Sequence, residues 1–235
     1  MDRIPNAADF EAYRVTNVNS QEVIRQPLYD YNIYPGAGSQ SLTFFQTPVG
    51  QGVTSALGAT AATPKTRSDT NMDLAGQLPS GLQYMIEGIE VFCYPGSVAT
   101  ANTYTPATIT FFAAAAAATV GGQVNDSNTF YQSGLFILNV LAKAYLTVTP
   151  LIQFVPRASF DLSAAVATNS ATVGEVGTAV LRPGGEPFML TPPVAIFPAV
   201  NFSAQVTWPA VVALPSGFNA RVGVQFNGYM LRAGQ

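Results

Sequence analysis

Side-chain chemistry needs groups that trade protons, attack carbonyls or hold metals, and this chain has few of them in useful company. It contains no histidine, which removes Ser-His-Asp and Cys-His nucleophile systems together with the usual zinc ligand sets. Carboxylate chemistry remains, in the manner of the paired acids that split glycosidic bonds. Glu87 and Glu90 are the closest pair within a strand-like run, but a spacing of three puts them on opposite faces of a strand. They read as solvated or interface charges. Asp69 and Asp73 would share a face if their segment were helical. Two carboxylates fall short of a calcium site, and capping with first-turn dipole effects accounts for Asp69 without an ion.

Three further features have equally plain readings. Cys93 is the single cysteine, so no intrachain disulfide can form, and its apolar surroundings suit a packed, inert thiol. Pro35-Gly36-Ala37-Gly38 and Pro183-Gly184-Gly185 are turn signals with neither a following helix nor a Lys-Ser/Thr pair, and so are not phosphate cradles. Tyr29, Tyr31, Tyr34, Phe44 and Phe45 crowd one stretch. They could form a saccharide platform, but no acids or amides converge beside them, and tyrosines suit cores and protein interfaces. No catalytic, cofactor-binding or metal-binding residue is assigned, no cofactor is expected, and the chain reads as a non-enzyme.

The elements that carry these residues are strands. In Asn201–Trp208, Phe202, Ala204, Val206 and Trp208 alternate with Asn201, Ser203, Gln205 and Thr207, the period of a half-buried strand. Arg221–Leu231 sets Val222, Val224, Phe226 and Met230 against Gln225 and Asn227. Gln83–Tyr94 is apolar on both sides, with Tyr84, Ile86 and Phe92 on one and Met85, Ile89 and Val91 on the other. Leu42–Phe45, Thr108–Phe112, Leu135–Leu141, Ala144–Val148 and Val194–Phe197 complete about eight to ten strands. The apolar stretch Leu135–Ile152 is broken by Asn139, Lys143 and Pro150, too interrupted for a membrane span and better read as two packed strands. Helix is scarce. Ser68–Leu78 is the best candidate, with Ser68, Asp69 or Thr70 as cap and Gly76 or Pro79 as stop; Ala113–Ala118 stays open between helix and strand. Gly50–Thr63 and Ser163–Thr178 read as long loops. All but Pro5 and Pro27 of the 17 prolines lie beyond residue 27, so the texture changes there. Residues 1–27 are expected to be an extended arm and residues 28–235 one all-β domain, a single jelly-roll sandwich of antiparallel strands; an immunoglobulin-like sandwich would leave a similar trace.

Composition points to partners. Charged residues are 10% of the chain and hydrophobic ones 48%, against roughly 25% charged in ordinary soluble domains. A chain so poor in surface charge either hides its flanks against other molecules or is wetted by Ser, Thr, Asn and Gln. The net charge is -3, and Arg3, Arg14 and Arg25 are interleaved with Asp2, Asp9, Glu11 and Glu22, so sequence-specific nucleic-acid binding is not expected. The opening MDRIPNAADFEAYR has no apolar core and does not read as a secretory signal.

Several short stretches resemble a known group. Leu28–Pro35 followed by Leu42–Phe45, then Lys65-Thr66, Asp69–Met72, Gln77–Pro79, Phe130–Gly134, Lys143–Leu146, Pro150-Leu151, Phe154–Pro156, Ile196–Phe202 and Phe226–Arg232 are similar to the single-jelly-roll major capsid proteins of icosahedral, often membrane-containing, bacteriophages. The resemblance implies a virion structural protein without catalytic residues, partnered by copies of itself and by other capsid proteins, with contact to an internal membrane as a further expectation. The polar arm would then reach a neighbouring subunit. The alternative on the same fold is a receptor- or carbohydrate-binding module of a spike, cement or fibre protein.

Overall fold

The computed structural model describes residues 21–55, 63–98, 117–156, 158–169, 172–183 and 185–233. Its elements in chain order are β1 (Gln21–Arg25), β2 (Leu28–Tyr34), β3 (Ser39–Phe44), β4 (Leu82–Val98), helix α1 (Ala117–Gln132), β5 (Leu135–Val140), β6 (Lys143–Pro150), a 3-10 turn (Leu151–Phe154), β7 (Ala158–Asn169), β8 (Thr172–Pro183), β9 (Phe188–Ile196), β10 (Phe202–Val212) and β11 (Asn219–Ala233).

β1 and β2 lie end to end along β11, from Gln21 opposite Ala233 to Tyr34 opposite Ala220. Pro27 lacks the amide hydrogen that would continue the ladder between them. The first sheet therefore runs β1/β2–β11–β4–β9, and the second β3–β10–β5–β6. Every pairing within them is antiparallel. Leaving aside the β7–β8 hairpin, the strands in chain order cross from sheet to sheet at every step except β1 to β2 and β5 to β6, which is the winding of a jelly roll. The β7–β8 hairpin, paired from Ala158 opposite Pro183 to Asn169 opposite Thr172, is inserted between β6 and β9. The expected fold class holds.

Alternation built most of this. On β10, Phe202, Ala204, Val206 and Trp208 are buried while the residues between them are half-exposed, and on β11 Ala220, Val222, Val224 and Phe226 join the same core. Strand β4 departs from a simple count by twos. Two of its residues oppose one of β11 where Gly88 pairs with Asn227 and Ile86 with Gly228, so Glu87 is an extra residue and the parity resets. Tyr84, Ile86, Ile89 and Val91 consequently all face the main core, whereas Met85 packs with Tyr229 and Leu231 in a small separate cluster. The bulge draws the backbones together: a Cβ on Gly228 would sit 1.8 Å from the Met85 carbonyl oxygen, so no larger residue fits.

Between the sheets the aromatics interlock. Tyr34, Phe130 and Trp208 meet at ring distances of 5.1 to 5.7 Å, and Phe45 stacks on Phe226 at 4.7 Å. Edge and offset contacts of this kind add to simple burial.

Several expectations are corrected. Ser68–Leu78 is not a helix. One turn forms, with the Asp69 and Thr70 amides bonding the Thr66 carbonyl, and then the backbone is captured by β2: the Tyr31 amide donates to the Asp69 carbonyl and the Asn71 amide to that of Tyr29. Ser163–Thr178 falls within the β7–β8 hairpin rather than a loop. β2 and α1 were not anticipated as elements. Gly121, Gly122 and the run Asn125–Thr129 are poor helix formers, so α1 owes its existence to tertiary anchors. The Trp208 indole donates to the Phe130 carbonyl at 3.1 Å, the Tyr131 hydroxyl to Val91 at 2.6 Å, and the Asp126 carboxylate accepts the Ser216 amide and hydroxyl. Strand pairing begins at Gln21, inside the stretch assigned to the arm; residues 1–20, Thr108–Phe112 and Ala113–Ala116 lie outside the described residues.

Candidate assembly flank

Among the described residues the two sheets each leave an edge strand unpaired on the same side of the sandwich. Among the described residues β6 is paired only with β5, and β9 only with β4. Phe154, on the turn leaving β6, packs on Phe136 of β5 at 4.5 Å and on Phe188 of β9 at 4.6 Å, which brings those edges to one flank. This flank is apolar. Of the nine large hydrophobic residues exposed among the described ones, six belong to it: Leu141 (66% exposed), Tyr145, Val148 (69%), Ile152, Val155 and Met189. Lys143 is the only charged residue between Gln132 and Pro156, and its ammonium lies over the Tyr145 ring, 4.6 Å from the centroid. Leu141 is presented by the tight β5–β6 turn, where it takes a φ of 56° that ordinary residues avoid. An open edge strand offers unpaired amide and carbonyl groups, which proteins normally blunt with charge or cover. Lys143 is the one charge on β6, no strand among the described residues pairs with its outer edge, and exposed apolar area of this kind marks association surfaces.

The opposite flank is closed and polar. Residues Asp69 to Asn71 run beside β2, and the Asn71 side chain accepts the Tyr29 amide at 3.0 Å. Asp69 is fully buried and organises the whole corner. Its carboxylate accepts the hydroxyl and amide of Ser55, the Thr54 hydroxyl, and the amide and hydroxyl of Thr66. Burial alone would push its pKa up, but these donors outweigh that and hold it below the ordinary carboxylate value. The Arg221 guanidinium stands 3.9 Å from Asp69 and 4.1 Å over the Tyr31 ring. That ring lies so close to Gly223 that a Cβ there would meet it at 2.2 Å. Asp30 and Lys65 form a second buried pair, with Nζ 2.6 Å from Oδ1. Asp30 keeps a raised pKa, burial being the largest cause and Lys65 the chief counterweight.

The residues that the sequence nominated for chemistry are scattered or spoken for. The bulge breaks the count that put Glu87 and Glu90 on opposite faces. Glu90 is nonetheless buried, accepting the Asn227 amide at 2.6 Å and that of Gln225 at 3.4 Å, while Glu87 is half-buried. Asp73 is exposed and bound to Arg67, apart from the Asp69 cluster. Cys93 packs against the core, its thiol raised well above the usual range by burial first and the Asp126 carboxylate second. The tyrosine cluster divides: Tyr34, Phe44 and Phe45 are core, whereas Tyr29 and Tyr31 lie half-buried, Tyr31 packing beside Phe92 and Tyr94. Among the described residues no group of three or more Cys, Asp or Glu could hold a metal, and no helix is long and apolar enough to cross a membrane. The apolar flank was missed as a site; a signal for it was present in residues 133–156, where a lone lysine serves two strands. Compared with protein-family models, curated proteins and solved structures, the chain gives no match.

Proposed function

We propose that this protein is a structural subunit of a viral shell, an icosahedral bacteriophage capsid built from copies of this chain and other capsid proteins. The observation that carries the reading is the β6/β9 flank, an open strand edge whose large apolar side chains are exposed and whose only charge is Lys143. A subunit that spent its life alone would have to solubilise that flank. One packed among its sisters covers it, and the chain-wide charge deficit follows from the same cause. The jelly roll and the resemblance of the short stretches to phage capsid proteins add the viral context, including assembly in the host and, where the shell lines a membrane, contact with that membrane.

The purified full chain should run on size exclusion as capsomers or larger particles, and negative staining should show ring-like or closed assemblies. A stable monomer at all accessible concentrations would sink the proposal, and glycan binding by that monomer would favour a receptor-binding module. Truncation separates the arm from the domain. Removing residues 1–20 leaves β1 on its partner, and the subunit should melt as the full chain does while particle yield falls. Removing residues 1–25 also takes β1 from β11 and should lower the melting temperature as well. Undiminished particle yield after the first cut would refute the arm's role.

A further inference from the structure

We propose that Lys65 and Asp30 become joined by an amide bond between Nζ and Cγ, a covalent cross-link that the folded chain makes on itself. The reacting groups come from segments 35 residues apart and meet with Nζ 2.6 Å from Oδ1, in a site where the side chains are 2% and 1% exposed. Asp30 is on the inward register of β2, two residues from the fully buried Leu28. Its other oxygen, Oδ2, accepts the backbone amide of Phe45 at 2.7 Å.

That arrangement contains what the condensation needs. Holding amine and acyl carbon together turns a two-body encounter into an internal step, a large rate advantage when the geometry is fixed. Two opposite charges removed from water are costly, so proton transfer inside the pair yields the neutral amine and neutral acid, the forms that react. The Asp30 carboxyl, raised by its burial, accepts that proton readily. The Nζ lone pair then attacks Cγ and a C–N bond forms. Negative charge develops on Oδ2, where the Phe45 N–H already points, as a preorganised donor should. The Cγ–Oδ1 bond breaks, and Oδ1 leaves as water carrying the acid's own proton and one from Nζ. The latter passes directly from Nζ to Oδ1, which lie 2.6 Å apart. One amide and one water replace one amine and one acid, with no oxidant or reductant. The water has a way out, because Lys65 also lines an open groove of about 530 Å³ bounded by Asn32, Leu42 and Thr43. In a chain with one cysteine, such a bond would tie the Pro64–Met72 segment to β2 as a disulfide cannot.

The test is the intact mass of the purified full chain, followed by fragmentation of its proteolytic peptides. The major species should be lighter than the sequence mass by one water, with a branched peptide carrying the loss at Lys65 and Asp30, and Lys65→Arg should restore the full mass. A folded wild-type chain at full sequence mass would overturn the proposal. So would a water loss mapped elsewhere, for example to a succinimide at Asp126-Ser127. The wild-type measurement decides the matter even if the variant fails to fold, and it is independent of whether particles assemble.

Discussion

Leu141→Glu combined with Val148→Glu is expected to stop assembly while leaving the subunit folded. Both side chains are about two-thirds exposed, at 66% and 69%, so in the isolated subunit the change touches little and should move stability by no more than about 0.5 kcal/mol each. In an assembled flank the same positions become buried contacts. Placing two carboxylates there forces their desolvation without partners and adds to the lost apolar contact, on the order of 3 kcal/mol or more per interface. That is roughly a hundredfold weaker association, and a shell multiplies it over every subunit. Particle yield by negative stain, read beside the melting temperature of the same preparation, checks this. Intact particles with both substitutions would show that the flank is not an assembly contact.

Asp69→Ala should be the most damaging single change on the opposite flank. It strands five donors, from Thr54, Ser55 and Thr66, and leaves Arg221 with one neighbour fewer. Charge-assisted bonds of this kind contribute about 1.5–3 kcal/mol each, and breaking a buried charged cluster costs about 3–5 kcal/mol in all. Against a total stability of roughly 5–15 kcal/mol the loss is severe, and chemical denaturation should show it. The same carboxylate gives an acid signature. Its folded-state pKa lies below the ordinary value of 3.8, so its stabilisation is fully present above that value and is lost as pH falls through the folded-state pKa. Asp126, raised chiefly by burial, has the opposite sign: its contribution is greatest below the unfolded-state value and declines as pH rises through the folded one. The Asp69→Asn variant should therefore lose less stability between pH 5 and 2 than the wild type, by an amount visible in paired urea titrations. Parallel pH dependence of the two proteins would refute the assignment.

The strands that could be read directly are those with strong contrast between their faces. Phe202, Ala204, Val206 and Trp208 alternate with polar residues, and β10 lies where that pattern places it. Contrast is what the missed elements lack. In Ser163–Thr178 the residues are mostly Ala, Val, Thr and Gly, small or β-branched on either side, so a twelve-residue ladder looked like a loop. α1 was invisible because its residues disfavour helix and its anchors, Trp208, Val91 and Ser216, are remote in sequence. The bulge at Glu87 could not be counted in advance, since it depends on Gly228 letting two backbones approach. For the corner around Asp69 there was half a clue. Asp30 sits at an inward position between Leu28 and Tyr34 and so demands a buried cation, but nothing local says that Lys65 supplies it.

The pairing of β1 and β2 with β11 has a consequence for biosynthesis. A ribosome releases Leu28 long before it adds Phe226, on the order of 10–40 s earlier at ordinary elongation speeds. Until then β1 lacks the strand it pairs with, β2 has only its short backbone link to Asp69–Asn71, and β4 lacks its central companion. The first sheet stays without its central strand until β11 emerges, and pairing strands so distant in sequence makes that closure a late and slow step.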